Sequence, residues 1–188
     1  MNLKHRQRQV VLLRLLQALK DNNSWCGETH IQKSAYFLEK LFKVPLDLNF
    51  TLYMHGPFSF DLRDELTVMR SDLLVEIQIL RPTFGPSWVV SETGSRLAQR
   101  WPRTTEMFSS AIDFVASRLG PCGVVELERL ATALYVTVEE QLETPDARAR
   151  RIHELKPHVA LEQATQAVIS VEAMLAQQRV LPSGARPE

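Results

Sequence analysis

Five histidines and two cysteines are the residues of this 188-residue chain best equipped to hold a metal or move a proton. Their spacing gives them no shared work. No two of His5, His30, His55, His153 and His158 stand three or four apart, the separation that puts two ligands on one helix face. His153-Glu154 lacks the second histidine of a zincin motif. No serine sits in a Gly-x-Ser-x-Gly elbow, and the seven glycines form no phosphate-cradling loop. Carboxylate neighbours such as Glu139-Glu140 and Asp64-Glu65 point about 100° apart on a helix, which makes them poor acid–base pairs. Cys26, alone between Trp25 and Gly27, reads as a small buried hydrophobe. The residues therefore predict no catalytic group, no metal site and no cofactor. His55 is singled out among them because it precedes a Gly-Pro turn beside a candidate binding helix.

The elements that position these residues read as mainly helical with a small β part. Apolar residues at helical spacing predict helices over Lys4–Lys20, His30–Phe42, from Ser59 to Arg70, and Thr93–Arg100. Further helices are expected over Thr104–Leu119, Val124–Glu140, from Thr144 to Leu155, and Leu161–Gln178. Thr29 with Gln32 three residues later reads as a capping box for the second helix. Leu48–Met54 alternates and predicts a strand, followed by a turn over His55–Phe58. Leu73–Leu80 and Trp88–Ser91, rich in branched and aromatic residues and separated by a Pro- and Gly-bearing link, predict a hairpin. The early strand is expected to join that hairpin in one small sheet.

A hairpin behind a set of helices is the wing of a winged helix-turn-helix. The fold expected is a winged helix-turn-helix core over residues 1–101. A C-terminal helical bundle over 102–180 packs on it, and a flexible tail follows over 181–188. Such a module binds duplex DNA or a protein. Its third helix would enter the major groove while other elements hold phosphates. Net charge is zero, yet residues 1–20 carry +5 and residues 73–103 carry +2, against −3 over 21–72 and −4 over 104–188. The DNA-binding candidates are Lys4, Arg6, Arg8, Lys33, Lys40, Lys43, Arg63, Arg70 and Arg81. Asp61, Asp64 and Glu65 make the third helix slightly acidic, which repels phosphate and favours a protein partner. The protein-binding candidates are His55, Phe58 and Phe60. A second copy of the chain is also an allowed partner. Two unpaired cysteines suit a reducing, cytoplasmic setting, and no apolar run reaches the roughly 18–20 residues that span a bilayer.

Five segments carry a family resemblance. Ile31-Gln32-Lys33-Ser34-Ala35-Tyr36-Phe37-Leu38 precedes Tyr53-Met54-His55-Gly56-Pro57-Phe58-Ser59, and Leu62 through Leu66 follows. Leu127 through Tyr135 and Leu155-Lys156-Pro157-His158 complete the order. The arrangement resembles the YwgA-like family of bacterial proteins and is more distantly similar to the SocA-like (Panacea) antitoxin domain. That resemblance implies a winged-helix core with appended helices and no catalytic residue. In the SocA-like group the domain is linked to toxin neutralisation, a protein-binding role. The function expected from the whole reading is a DNA-binding transcriptional regulator linked to defence or toxin–antitoxin functions, with an antitoxin or adaptor that binds protein alone as the alternative.

Overall fold

The computed structural model describes residues 3–79 and 85–180. The candidate Arg81, the rest of 80–84 and the tail from 181 lie outside the described residues. Within them run α1 (His5–Asp21), α2 (Glu28–Phe42), β1 (Thr51–Tyr53), β2 (Gly56–Phe58), α3 (Phe60–Ser71), β3 (Val75–Gln78) and β4 (Ser87–Val90). Then come α4 (Glu92–Gln99), α5 (Pro102–Leu119), α6 (Val124–Val138), α7 (Pro145–Leu155) and α8 (Leu161–Val180). No described helix is long and apolar enough to cross a membrane.

α1 is the central element. Val10 through Leu13, Leu15, Leu16, Ala18 and Leu19 are all buried, so the helix is enclosed on nearly every side. α5 lies along it, α2 packs on α5 and α6, and α8 packs on α6 and α7. One continuous core runs from Leu3 to Met174 and joins both halves of the chain. α3 lies on the surface and buries only Leu62, Leu66 and Met69, the stripe its spacing predicts. Ser59 caps α3 by accepting from the Leu62 amide at 3.2 Å.

Three local expectations are corrected. α2 starts at Glu28 on the N-cap Gly27, without a side-chain cap, so Thr29 and Gln32 form no capping box. Gln32 is buried and spends its amide elsewhere, as described below. The chain over 51–58 is a hairpin rather than a strand and a turn. β1 pairs antiparallel with β2 in the register Thr51↔Phe58 and Tyr53↔Gly56, closed by a two-residue loop at Met54-His55. The two hairpins also share no sheet, since β3 pairs only with β4, Val75 opposite Val90. Their seats differ accordingly. β2 rests on α2 and α6, whereas β4 rests on α1 and β3 on α3.

Candidate functional site

Residues of α2, of α6 and of the segment after α7 meet at the β1–β2 hairpin. Gln32 clamps its far end. Its side-chain amide donates to the Ser59 carbonyl at 2.9 Å, and its side-chain oxygen accepts from the Ser59 amide at 2.9 Å. Both partners are buried, and each backbone group left unmade would cost about 1–3 kcal/mol. Lys33, the next residue, donates from Nζ to the Pro57 carbonyl at 2.8 Å. At the opposite end Lys156 donates from Nζ to the Tyr53 carbonyl at 3.3 Å and to the Met54 carbonyl. Backbone groups of a loop that would face water are thus held by side chains from α2 and from the segment after α7.

Glu128 on α6 is the hub of this clamp. Lys156 Nζ lies 3.0 Å from its Oε1, and both residues are almost fully buried, at 5% and 6% exposure. His55 Nδ1 lies 3.4 Å from its Oε2, and His158 Nε2 lies 3.9 Å from its Oε1. Burial pushes the Glu128 carboxyl up, but the Lys156 ammonium outweighs it, with help from His55, and holds it below the ordinary value. α6 also fits the hairpin backbone closely. Gly56 has φ +84°, and a Cβ there would stand 3.2 Å from Thr132 Oγ1 and 3.5 Å from the Glu128 carbonyl. Gly56→Ala is therefore expected to cost about 1–2 kcal/mol in urea unfolding. A free energy equal to the parent's would show that the hairpin does not need this seat.

The outer face of the clamped hairpin is aromatic. Phe58 and Phe60 meet edge to face at 5.1 Å, and Tyr53 lies 6.1 Å from each ring. The Arg63 guanidinium sits over Phe60 at 5.0 Å. Tyr53 is 53% exposed, Met54 70% and Phe60 43%. Two of the candidate protein-binding residues, Phe58 and Phe60, pack together, while the third, His55, stands on the loop between the strands against the hub.

The candidate cations for DNA do not gather in this way. Lys33 is 2% exposed and committed to Pro57, which corrects its reading as a surface contact. Arg6 pairs with Asp72 at 3.0 Å and Lys40 with Glu139 at 2.8 Å. Arg8 donates to the Leu46 carbonyl at 3.1 Å, and Arg63 lies 3.8 Å from Asp64. Lys4, Lys43 and Arg70 are exposed and make no ion pair among the described residues.

The remaining nucleophile and ligand candidates stay apart. Cys26 Sγ faces the Leu16 carbonyl, and burial pushes its thiol up to about 12. His30, four residues on, donates instead to the Cys122 carbonyl at 2.9 Å, and its burial lowers its basicity. Cys122 is pushed up to about 11, first by burial and then by Glu126. No group of three or more His, Cys, Asp or Glu among the described residues could hold a metal ion. Sequence reasoning missed Gln32, Glu128 and Lys156 as site residues. All three lie in the segments on which the family resemblance rests, but no local spacing rule marks them. No protein-family model matches the chain, and no curated protein matches it.

Proposed function

We propose that this chain is a protein-interaction module that docks its partner on the aromatic face of the β1–β2 hairpin. The observation that carries the reading is the exposed rings of Tyr53 and Phe60, packed with the half-buried Phe58, where α3 begins beside a hairpin already fixed by Gln32, Lys33 and Lys156. Aromatic side chains with an arginine at their edge are the usual anchors of protein interfaces. A loop held in one conformation before binding avoids the entropy cost of being ordered by its partner. The winged-helix expectation from the sequence allows such a docking role, and the family resemblance adds the antitoxin or adaptor one. Duplex DNA is the weaker reading, because Arg6, Lys40 and Arg63 face acids and Lys33 is inside.

A photo-reactive phenylalanine analogue at Met54, with one at Glu106 on α5 as control, tests this in cells. The reading predicts a cross-linked protein from position 54 and none from 106. With that partner purified, Tyr53→Ser combined with Phe60→Ser is expected to weaken binding at least about 30-fold, the effect of losing one strong anchor. Unchanged affinity in the double variant overturns the reading. So does retardation of duplex DNA at about 50 mM salt that fades steeply as salt rises, since that result assigns the chain to DNA.

A further inference from the structure

Beneath the hairpin, beside the aromatic face, lies a pocket of about 160 Å³ lined by Glu28, Thr29, Gln32, Lys33, Tyr53 and His55, among others. Drug-sized ligands need about 300–1,000 Å³, so this space suits a single side chain. Its buried wall carries Lys33, whose ammonium has three donor hydrogens. Only one finds an acceptor, the Pro57 carbonyl, and no carboxylate pairs with Lys33 among the described residues. The neighbouring buried carboxylate, Glu128, is already matched to Lys156 at 3.0 Å. A buried cation with one neutral acceptor is costly, and an anion within reach offsets that cost. Gln32 offers no substitute, because both ends of its amide are spent on Ser59.

We propose that this pocket receives a carboxylate side chain of the docking partner, which completes the coordination of the Lys33 ammonium while its apolar neighbours rest on Tyr53 and Phe58. The proposal deepens the docking reading and rests on it. Other charges face Lys33 as well. Glu28 stands five residues back on α2, Glu128 on α6, Lys156 after α7 and His55 on the hairpin loop. Burial lowers Lys33 to about 8; Glu128 and Glu28 oppose that and Lys156 adds to it. A bound carboxylate favours the charged ammonium and raises that value. Binding therefore takes up a proton, and affinity falls as pH rises through about 8. The rim residue Glu28 repels the incoming carboxylate.

The test needs no natural partner. The side-chain ammonium resonances of the ¹⁵N-labelled chain are followed while N-acetylglutamate N-methylamide is added, with N-acetylglutamine N-methylamide as the neutral isostere. The proposal predicts that the acid shifts the Lys33 signal together with the amides of Tyr53 and His55, at least about tenfold more tightly than the amide probe. Glu28→Gln is expected to tighten binding about two- to fivefold, the size of an exposed charge pair. Lys33→Met is expected to abolish it. Should that variant fail to fold, Glu28→Gln and the pH series still decide. Equal response to the two probes, or shifts elsewhere that leave Lys33 untouched, overturns the proposal. A cross-link from position 54 with a silent Lys33 signal removes the pocket and keeps the docking face. A Lys33 response without a cross-link removes the docking face and, with it, the partner assigned to the pocket.

Discussion

Lys156→Met is expected to destabilise the protein by about 3–5 kcal/mol at neutral pH, the range for removing one partner of a buried ion pair. The loss has two parts. Glu128, at 6% exposure, keeps its charge without its closest cation, and the carbonyls of Tyr53 and Met54 lose their donor. The pH dependence identifies the cause. In the parent, Glu128 is held below its ordinary value, so its contribution is full above the unfolded value near 4.3 and is lost as pH falls through the folded one. In the variant burial is opposed by His55 without Lys156, and that carboxyl rises. The folded variant then binds a proton more readily than the unfolded chain, so its stability falls as pH rises through the interval. The gap between the two proteins is widest near pH 7 and closes toward pH 4. His55 and His158, when protonated, close it further. Lys156→Met with Glu128→Leu should recover much of the loss, because no unpaired charge remains. Urea unfolding from pH 4 to 8 measures all three. A gap that stays below about 1 kcal/mol throughout would show that this pair does not hold the hairpin.

Why the hairpin escaped the sequence is a matter of length. The alternation over 48–54 shows β1, but β2 is only three residues long, and the Gly56-Pro57 step that reads as a turn lies inside it. Gln32 shows a different failure. It sits at the right spacing to cap α2, but its amide bonds Ser59, 27 residues away, and no local rule sees that partner. Lys33 was misplaced by charge. The run Ala35-Tyr36-Phe37-Leu38 carries apolar residues around the whole helix, which already says that α2 is enclosed and that Lys33 lies inside. Periodicity did succeed where one face meets one neighbour. Leu62, Leu66 and Met69 on α3 and Phe108, Ile112, Val115 and Leu119 on α5 are buried as their spacing predicts. On α8 the stripe drifts, so Ala167 and Met174 turn inward while Leu161, expected inside, is 48% exposed. Gln32, Lys33 and Lys156 come from distant parts of the chain to one hairpin. Their side chains bond a shared stretch of backbone, a relation that spacing along the chain does not express.

A loss of comparable size is expected from Gly94→Ala, beside the β3–β4 hairpin. Gly94 is buried near the start of α4. A Cβ there would stand 2.1 Å from the Leu74 carbonyl oxygen and 3.0 Å from Leu13 Cδ2. The first neighbour is backbone and cannot rotate away. It is also held, because the Leu74 carbonyl accepts the Ser91 amide at 3.1 Å while Ser91 Oγ donates to the Leu73 carbonyl and accepts the Gly94 amide at 3.0 Å. One extra methyl therefore pushes α4 off the base of β3 and strains the Ser91 cap together with it. The expected cost is about 3 kcal/mol or more, at the upper end of overpacking effects. Because the two hairpins share no sheet and rest on different helices, the damage has an address. Hydrogen exchange should quicken first in 73–79 and 87–97, while 51–58 keeps its protection under folding conditions. If docking runs through the β1–β2 hairpin, Gly94→Ala below its melting temperature binds its partner with the parent's affinity. If the β3–β4 hairpin and its neighbours carry the contact, affinity falls along with that protection.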